Sequence, residues 1–350
     1  MTTSAAIMTL RHDLLDWYIA TGRSLPWRQH PRERSPGKAA PDPYAIWLSE
    51  IMLQQTTVPH ATPYWHRFLA LWPTVDALAR ADRDDVMREW AGLGYYARAR
   101  NLHACAGIVA DELGGVFPDT LDALLALPGI GDYTANAILA AAFNHPASVV
   151  DGNVERVITR MWRVQAEMPK AKPEIKRLAA KIADPDNSCD YAQAIMDLGA
   201  TVCTPKSPDC QQCPWSTTCD AFAHGDMELY PRKTKKRPKP IRTGTAWLVR
   251  RADAVWLRRR ADNGLLGGMM EVPSSGWADA KTDESAPFEA DWAVRGEVRH
   301  IFTHFELRLD VREAEARPGW EPDEGGWSND DALDREALPT VMRKIIALRR

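Results

Sequence analysis

Two incompatible hydrophobic periods divide this chain, and no single packed layer accommodates both. Through residue 224 apolar side chains recur every three to four residues in Tyr44–Val58, Val75–Trp90, Leu102–Leu113, Leu121–Leu127, Tyr133–Phe143, Val154–Trp162 and Ile175–Ile182. That spacing gives each segment one apolar stripe on a helix, and glycine and proline punctuate the joins. After residue 240 the period falls to two. Ala246–Val249 and Val255–Leu257 flank the polar Arg250–Asp253, and Ile301, Thr303, Phe305, Leu307, Leu309 and Val311 alternate with polar or aromatic neighbours. Between the two patterns, Tyr230–Pro240 mixes prolines with a basic run that stiffens and extends it. The fold class expected is multidomain, α plus α/β: an all-α domain over 1–224, a basic linker over 225–240, and a smaller sheet-containing domain over 241–350.

With 45% hydrophobic and 26% charged residues, the 350-residue chain can bury a sizeable core, which excludes global disorder. No run approaches the roughly 18 apolar residues of a membrane span, and Met1–Leu15 lacks the basic start and long apolar centre of a signal peptide. A cytoplasmic protein is expected. The net charge of −3 points away from DNA when taken alone. By segment, however, the net is −4 over 1–224, +4 over 225–240 and −3 over 241–350. Pro31–Pro43, rich in Pro, Arg and Gly, reads as a surface insertion without an assigned role.

Cys203, Cys210, Cys213 and Cys219 are separated by six, two and five residues. In a reducing compartment such a cluster is a metal site rather than a pair of disulfides. Four thiolates suit structural zinc or an iron–sulfur cluster, and the spacing alone separates the two only weakly. Cys105 and Cys189 stand apart and read as core residues.

Leu127-Pro-Gly-Ile-Gly-Asp-Tyr-Thr-Ala135 lies between two helical stretches. Gly129 and Gly131 permit a tight hairpin whose backbone N–H groups, with those of the next helix start, face outward and hold a phosphate without lysine. A formal charge count misses such a site. The same pattern also suits an ordinary helix–helix turn.

The hairpin, the Asp in Val150-Asp-Gly-Asn-Val154 and the cysteine spacing together resemble the helix–hairpin–helix DNA glycosylases of the endonuclease III superfamily. Within it, Leu25-Pro-Trp-Arg28, Ser49-Glu-Ile-Met-Leu-Gln-Gln-Thr56, Gly92-Leu-Gly-Tyr-Tyr96 and the second domain resemble the adenine DNA glycosylases of the MutY type. The resemblance runs from about Leu14 to Phe302–His304. It implies a [4Fe–4S] cluster on the four cysteines, and a monomer acting on double-stranded DNA that contains adenine opposite 8-oxoguanine or guanine. That substrate lies on the bacterial nucleoid.

Breaking an N-glycosidic bond calls for an acid to help the base leave and an anion to face the sugar cation. Glu50 and Asp151 supply the pair. Ile46, Trp47, Ile51, Met52 and Leu53 crowd Glu50, and an apolar site raises a carboxyl pKa, so Glu50 is suited to act as the acid. The resemblance implies the same role, with the proton delivered to N7 of adenine. Asp151 begins the Val154–Trp162 helix, where aspartate is a common N-cap and where helix donors favour a carboxylate. Asn153 is expected to support it. Tyr133 occupies the place where bifunctional relatives carry a Schiff-base lysine. A phenol forms no imine, so strand cleavage is not expected.

The resemblance further implies that Leu25, Trp27, Arg28 and Gln193 line a pocket for the flipped adenine, whose extrusion costs about a few kcal/mol. Gln55, Leu93 and Tyr95 are candidate wedges into the base stack, with core packing the other reading for Leu93 and Tyr95. Thr56 faces the opposite base. Gly264-Leu-Leu-Gly-Gly-Met-Met-Glu-Val-Pro273 resembles the start of a Nudix-like fold without its catalytic glutamate run, so a recognition domain is favoured over a pyrophosphatase. Phe302-Thr303-His304 corresponds to the family's loop for 8-oxoguanine, with threonine in place of the usual serine; its alternation also fits a plain strand. The rival functions are a bifunctional endonuclease III-like lyase and a non-enzymatic iron–sulfur DNA-binding protein.

Overall fold

Short polar side chains set where the helices begin. In the computed structural model, which describes residues 3–33, 41–234, 238–262, 264–278 and 286–349, Thr3 caps α1 (Ser4–Thr21) through the Ala6 N–H. Asp42 caps α2 (Pro43–Leu53) through the Tyr44 N–H at 3.0 Å, with Pro43 pre-set at the first helical position. There follow α3 (Val58–Leu71), α4 (Val75–Ala79), α5 (Arg83–Glu89), α6 (Ala97–Asp111), α7 (Leu121–Leu125), α8 (Asp132–Phe143), α9 (Gly152–Met161), α10 (Lys172–Ile182), α11 (Ser188–Asp197) and α12 (Asp220–His224). The expected single helix Val75–Trp90 is two helices. Asp82 interrupts it by accepting from the Asp84 N–H at 2.7 Å, which starts α5 afresh.

The chain forms two units, residues 1–80 with 104–235 and residues 81–103 with 236–350. In the first, Leu14 and Tyr18 of α1 pack against Ile158 of α9, Ile175 and Ile182 of α10, and Leu198 beyond α11. Each such buried side chain contributes roughly 1.5–3 kcal/mol. Trp215, in the cysteine-bearing loop, completes this core and donates its indole N–H to the Leu10 carbonyl at 2.9 Å. Cys105 and Cys189 are buried, and burial pushes the Cys105 thiol up to about 12, as suits a core residue. Residues 225–234 also pack here. Tyr230 is buried and the Met168 N–H donates to the Arg232 carbonyl at 2.8 Å, so this part of the expected linker is anchored rather than extended. Residues 235–237 of the linker and 34–40 of the insertion lie outside the described residues.

The second unit holds a mixed sheet of β1 (Ile241–Arg251), β2 (Ala254–Arg259), β3 (Met270–Glu271), β4 (Ala293–Ile301), β5 (Glu306–Glu315) and β6 (Gly326–Asn329). Its order is β3-β2-β1-β5-β4, and β6 also pairs with β2. β1 and β2 make an antiparallel hairpin, whereas β1 and β5 run parallel from Ile241↔Glu306 to Arg250↔Glu315. One face packs Leu248, Leu307 and Leu309 under Val341, Met342 and Ile345 of α13 (Thr340–Ile346). The other carries Val249, Trp256, Phe288 and Ala314 beneath Trp292, Trp320 and Trp327. The alternating run Ile301–Val311 is not one strand. β4 ends at Ile301, the Phe302 N–H donates to the Phe305 carbonyl at 2.9 Å, and Thr303 sits exposed in the turn between β4 and β5.

Trp215→Ala removes a fully buried ring and the bond from the cysteine loop to α1. We expect a loss of about 3–5 kcal/mol in stability, measured by urea denaturation.

Candidate active site

Glu50 lies within α2 between side chains that belong to the core, and it is 8% exposed. Its Oε2 accepts the Tyr133 hydroxyl of α8 at 2.9 Å. Burial pushes the Glu50 carboxyl above its usual range and Asp151 adds to that push, while the Tyr133 hydrogen bond and the Arg28 charge oppose it; burial wins. The Tyr133 phenol is itself raised well above its ordinary value, by burial first and then by the Glu50 and Asp151 charges, so it stays a donor.

Asp151 caps α9. One oxygen accepts the Val154 N–H at 2.7 Å and the other the Asn153 amide at 2.9 Å. Asn153 is in turn bound by the Arg156 guanidinium at 3.0 Å, and Arg156 also donates to the Cys203 carbonyl at 2.7 Å and the Gly199 carbonyl at 2.5 Å. A continuous polar chain therefore joins the carboxylate to the first cysteine. Gly199 lies in a π-helical turn, Leu198–Val202, and a Cβ there would stand 2.7 Å from Asn153 Cβ.

A cavity of about 200 Å³ is lined by Leu25, Trp27, Arg28, Glu50, Thr56, Tyr133, Asp151, Asn153 and Gln193, all singled out from the sequence. Sequence reasoning missed the residues that hold them. Asp197, wholly buried, accepts Arg28 at 2.8 Å and Arg23 at 2.6 Å. Burial alone would raise the Asp197 carboxyl, yet Arg28 and Arg23 together hold it below the usual range. Tyr18 donates to Gln193 Oε1 at 2.7 Å, and the Gln193 amide reaches the Cys189 sulfur at 3.1 Å. The one signal for Asp197 was its place four residues after Gln193, on the same helix face.

Gln55 is exposed at φ 62° in the turn after α2. Gly129, with φ 78°, and Gly131 are exposed between α7 and α8, and no side chain caps α8, so its first N–H groups remain open. Asp132 beside them is paired with Lys176 at 2.7 Å. Leu93, Tyr95 and Phe302–His304 belong to the other unit. There Leu93 is buried, Tyr95 is 49% exposed, and Thr303 and His304 are exposed.

Cys203, Cys210, Cys213 and Cys219 line one small apolar cavity with Arg160 of α9. The Arg160 guanidinium is 1% exposed, and its acceptors are the Cys203 sulfur at 3.3 Å and the carbonyls of Thr204, Pro205 and Tyr230.

The HhH-GPD superfamily of base excision DNA repair proteins matches residues 48–185, and a NUDIX domain matches 245–348. The adenine DNA glycosylase of Mus musculus is 32% identical over 98% of this chain and 78% of its own length. The chain belongs to the adenine DNA glycosylase family. The adenine DNA glycosylase of Mycolicibacterium smegmatis is 42% identical over 58% of this chain and 67% of its own length. Among solved structures, a thermostable thymine-DNA glycosylase matches with a TM-score of 0.56 and 26% identity, covering 64% of this chain and 100% of its own. This adenine DNA glycosylase is thus a base excision repair enzyme with a helical HhH-GPD domain and a C-terminal mixed-sheet NUDIX-like domain. Among the described residues, no helix is long and apolar enough to cross a membrane.

Gly199→Ala must displace Asn153 and with it the Asp151 side chain. We expect adenine release to slow by about 10²-fold or more, since small misplacements of catalytic groups carry costs of that order, with little change in duplex binding, read by single-turnover kinetics and a binding titration.

Proposed function

We propose that this enzyme excises adenine opposite 8-oxoguanine or guanine and leaves an abasic site without cutting the strand. The Tyr133–Glu50 hydrogen bond carries this reading, because it places a phenol where a lyase needs an amine. Among the described residues lining the cavity there is no lysine. The adenine enters the cavity flipped out of the duplex, with Leu25 and Trp27 along its rings and Arg28 and Gln193 at its polar edge. Glu50, protonated through burial, gives its proton to N7. The C–N bond then breaks toward the base, and the Asp151 carboxylate stabilises the positive charge left on the sugar. Glu50, now anionic, takes a proton from the water that adds to the sugar. Free adenine and an abasic site result. Asn153 holds Asp151 in place throughout.

The hairpin at Gly129 and Gly131 holds a phosphate through open backbone donors. Gln55 and Tyr95 enter the base stack, Leu93, which is buried, takes the core-packing reading in place of a wedge, and Thr56 faces the opposite base. Residues 1–224, apart from 81–103, which share a unit with the sheet, form the glycosylase domain, 225–240 the connector and 241–350 the reader of 8-oxoguanine, with Phe302, Thr303 and His304 at its contact; the exposure of Thr303 and His304 supports this. The same reading has the enzyme act as a monomer in the bacterial cytoplasm, on nucleoid DNA.

The cysteines fit a [4Fe–4S] cluster. Four thiols face one apolar cavity, and the buried Arg160, whose described acceptors are neutral carbonyls and a sulfur, calls for an anionic neighbour. A cluster bound by Cys203, Cys210, Cys213 and Cys219 would supply that charge and an electron-transfer capacity.

Three outcomes follow. On duplexes with adenine opposite 8-oxoguanine or guanine, Glu50→Gln slows base release by about 10²–10⁴-fold; undiminished release would defeat the mechanism. Borohydride traps no covalent adduct with DNA, and a lysine-linked adduct would refute the monofunctional reading. Tyr133→Phe removes a donor that lowers the Glu50 pKa, leaving burial and Asp151 to raise it against Arg28 alone. Because Glu50 acts protonated, the rate falls as pH rises through its pKa, so that limb of the pH–rate profile moves to higher pH.

A further inference from the structure

Gln193 carries a carbonyl oxygen and an amino group on one planar end, and which of them faces a purine decides what that purine must present. Two buried neighbours fix the choice. Tyr18, wholly buried in α1, donates to Gln193 Oε1 at 2.7 Å, and burial pushes the phenol above its ordinary value, so the hydroxyl keeps its proton. On the other side Gln193 Nε2 donates to the Cys189 sulfur at 3.1 Å, while the Cys189 thiol donates to the Ala141 carbonyl at 3.6 Å. Turned over, the amide would deprive the Tyr18 hydroxyl of this acceptor and set its own oxygen against the sulfur, two acceptors face to face. Oε1 and Nε2 have each spent one bond, and a lone pair and an N–H remain for the cavity that Gln193 lines.

Tyr18 is itself held against rotation. His30, 2% exposed, accepts the Arg32 N–H at Nδ1 at 3.2 Å, which leaves the proton on Nε2 to be donated to the Tyr18 carbonyl at 3.0 Å. The two rings pack with centroids 4.8 Å apart. Gly22 lies so close to the far edge of the Tyr18 ring that a Cβ there would stand 2.5 Å from it. A histidine and a glycine outside the cavity lining thus clamp one ring, and the ring aims one hydroxyl.

We propose that Tyr18 is a positioning residue that sets purine specificity: it holds Gln193 so that Oε1 accepts the amino group at C6 of the flipped base. The proposal rests on the reading of Gln193 at the polar edge of the adenine pocket. Adenine carries an amino donor at C6, whereas guanine and hypoxanthine carry a carbonyl oxygen there. A fixed acceptor bonds the first and meets the second oxygen to oxygen, leaving both groups unsatisfied in a buried site. A free amide would turn and serve either. Glu50 cannot make this distinction, because N7 is an acceptor in all three purines.

The test measures single-turnover release of adenine and of hypoxanthine, both opposite 8-oxoguanine, for the native enzyme, Tyr18→Phe, Cys189→Ala, Gln193→Met and Tyr18→Phe/Gln193→Met, with urea denaturation of each. Comparing each adenine-to-hypoxanthine ratio with the native one cancels the intrinsic difference between the leaving bases. Tyr18→Phe keeps the ring and lowers the ratio by about tenfold. Cys189→Ala frees the amide from its other side and shifts the ratio the same way. Gln193→Met lowers it at least as far as Tyr18→Phe does, and the double variant lowers it no further than Gln193→Met, as coupled groups do. A ring that merely braced α1 against α11 would slow both bases alike; a native ratio in Tyr18→Phe, or in Cys189→Ala should Tyr18→Phe not fold, would overturn the proposal. Multiplicative losses would also overturn it. A native ratio in Gln193→Met would instead overturn the placing of Gln193 at the polar edge.

Discussion

The N-cap of α9 is the interaction on which the catalytic unit depends. Asp151 satisfies the Val154 N–H and so decides where the helix begins. That start sets the azimuth of Asn153, Arg156 and Arg160, which lie three and four residues apart on one side of the chain's path. Arg156 and Arg160 then bind the backbone and sulfur of the cysteine loop. One carboxylate therefore starts a helix, faces the cavity and fixes the register of everything that the helix carries toward the cysteines. A residue with only a capping task would tolerate asparagine or serine. Asp151 is more constrained, because its second oxygen is engaged by Asn153 as well.

Three buried charges in this unit are resolved in three ways. Glu50 has one neutral donor and a more distant cation, so burial prevails and favours the protonated acid. Asp197 is also buried but receives two guanidinium groups and the Arg23 N–H, which hold its carboxyl below the usual range. Arg160 finds carbonyls and a cysteine sulfur. Two carboxyl groups beside the same cavity are thus pushed in opposite directions, which supports the proposed proton donation by Glu50, while Asp197 steadies Arg28.

Much of this was legible in the sequence because it is local. The period of the apolar residues announces helices before residue 224 and strands after 240, and the cavity residues fall in short motifs whose chemistry can be read from residue type. Two local signals misled. Val75–Trp90 keeps a helical period across the Asp82 break, because the cap interrupts the backbone without disturbing the apolar spacing. Ile301–Val311 keeps strand parity across a turn that contains neither glycine nor proline, so nothing in composition marks Thr303 as its tip.

The sequence by itself determined most element types, the two carboxyl groups and the phenol that meet at one cavity, and four thiols in one loop. Only the tertiary structure decided which groups hold them. Tyr18 and Gln193 lie 175 residues apart, and Arg28 and Asp197 169; residues 81–103 are bound by the distant Asp262, Arg259, Gly267 and Arg335. The physical reason is that burial, and with it the raised pKa of Glu50 and the pairing of Asp197, depends on which distant segments exclude water. Residue spacing along one segment carries no record of that.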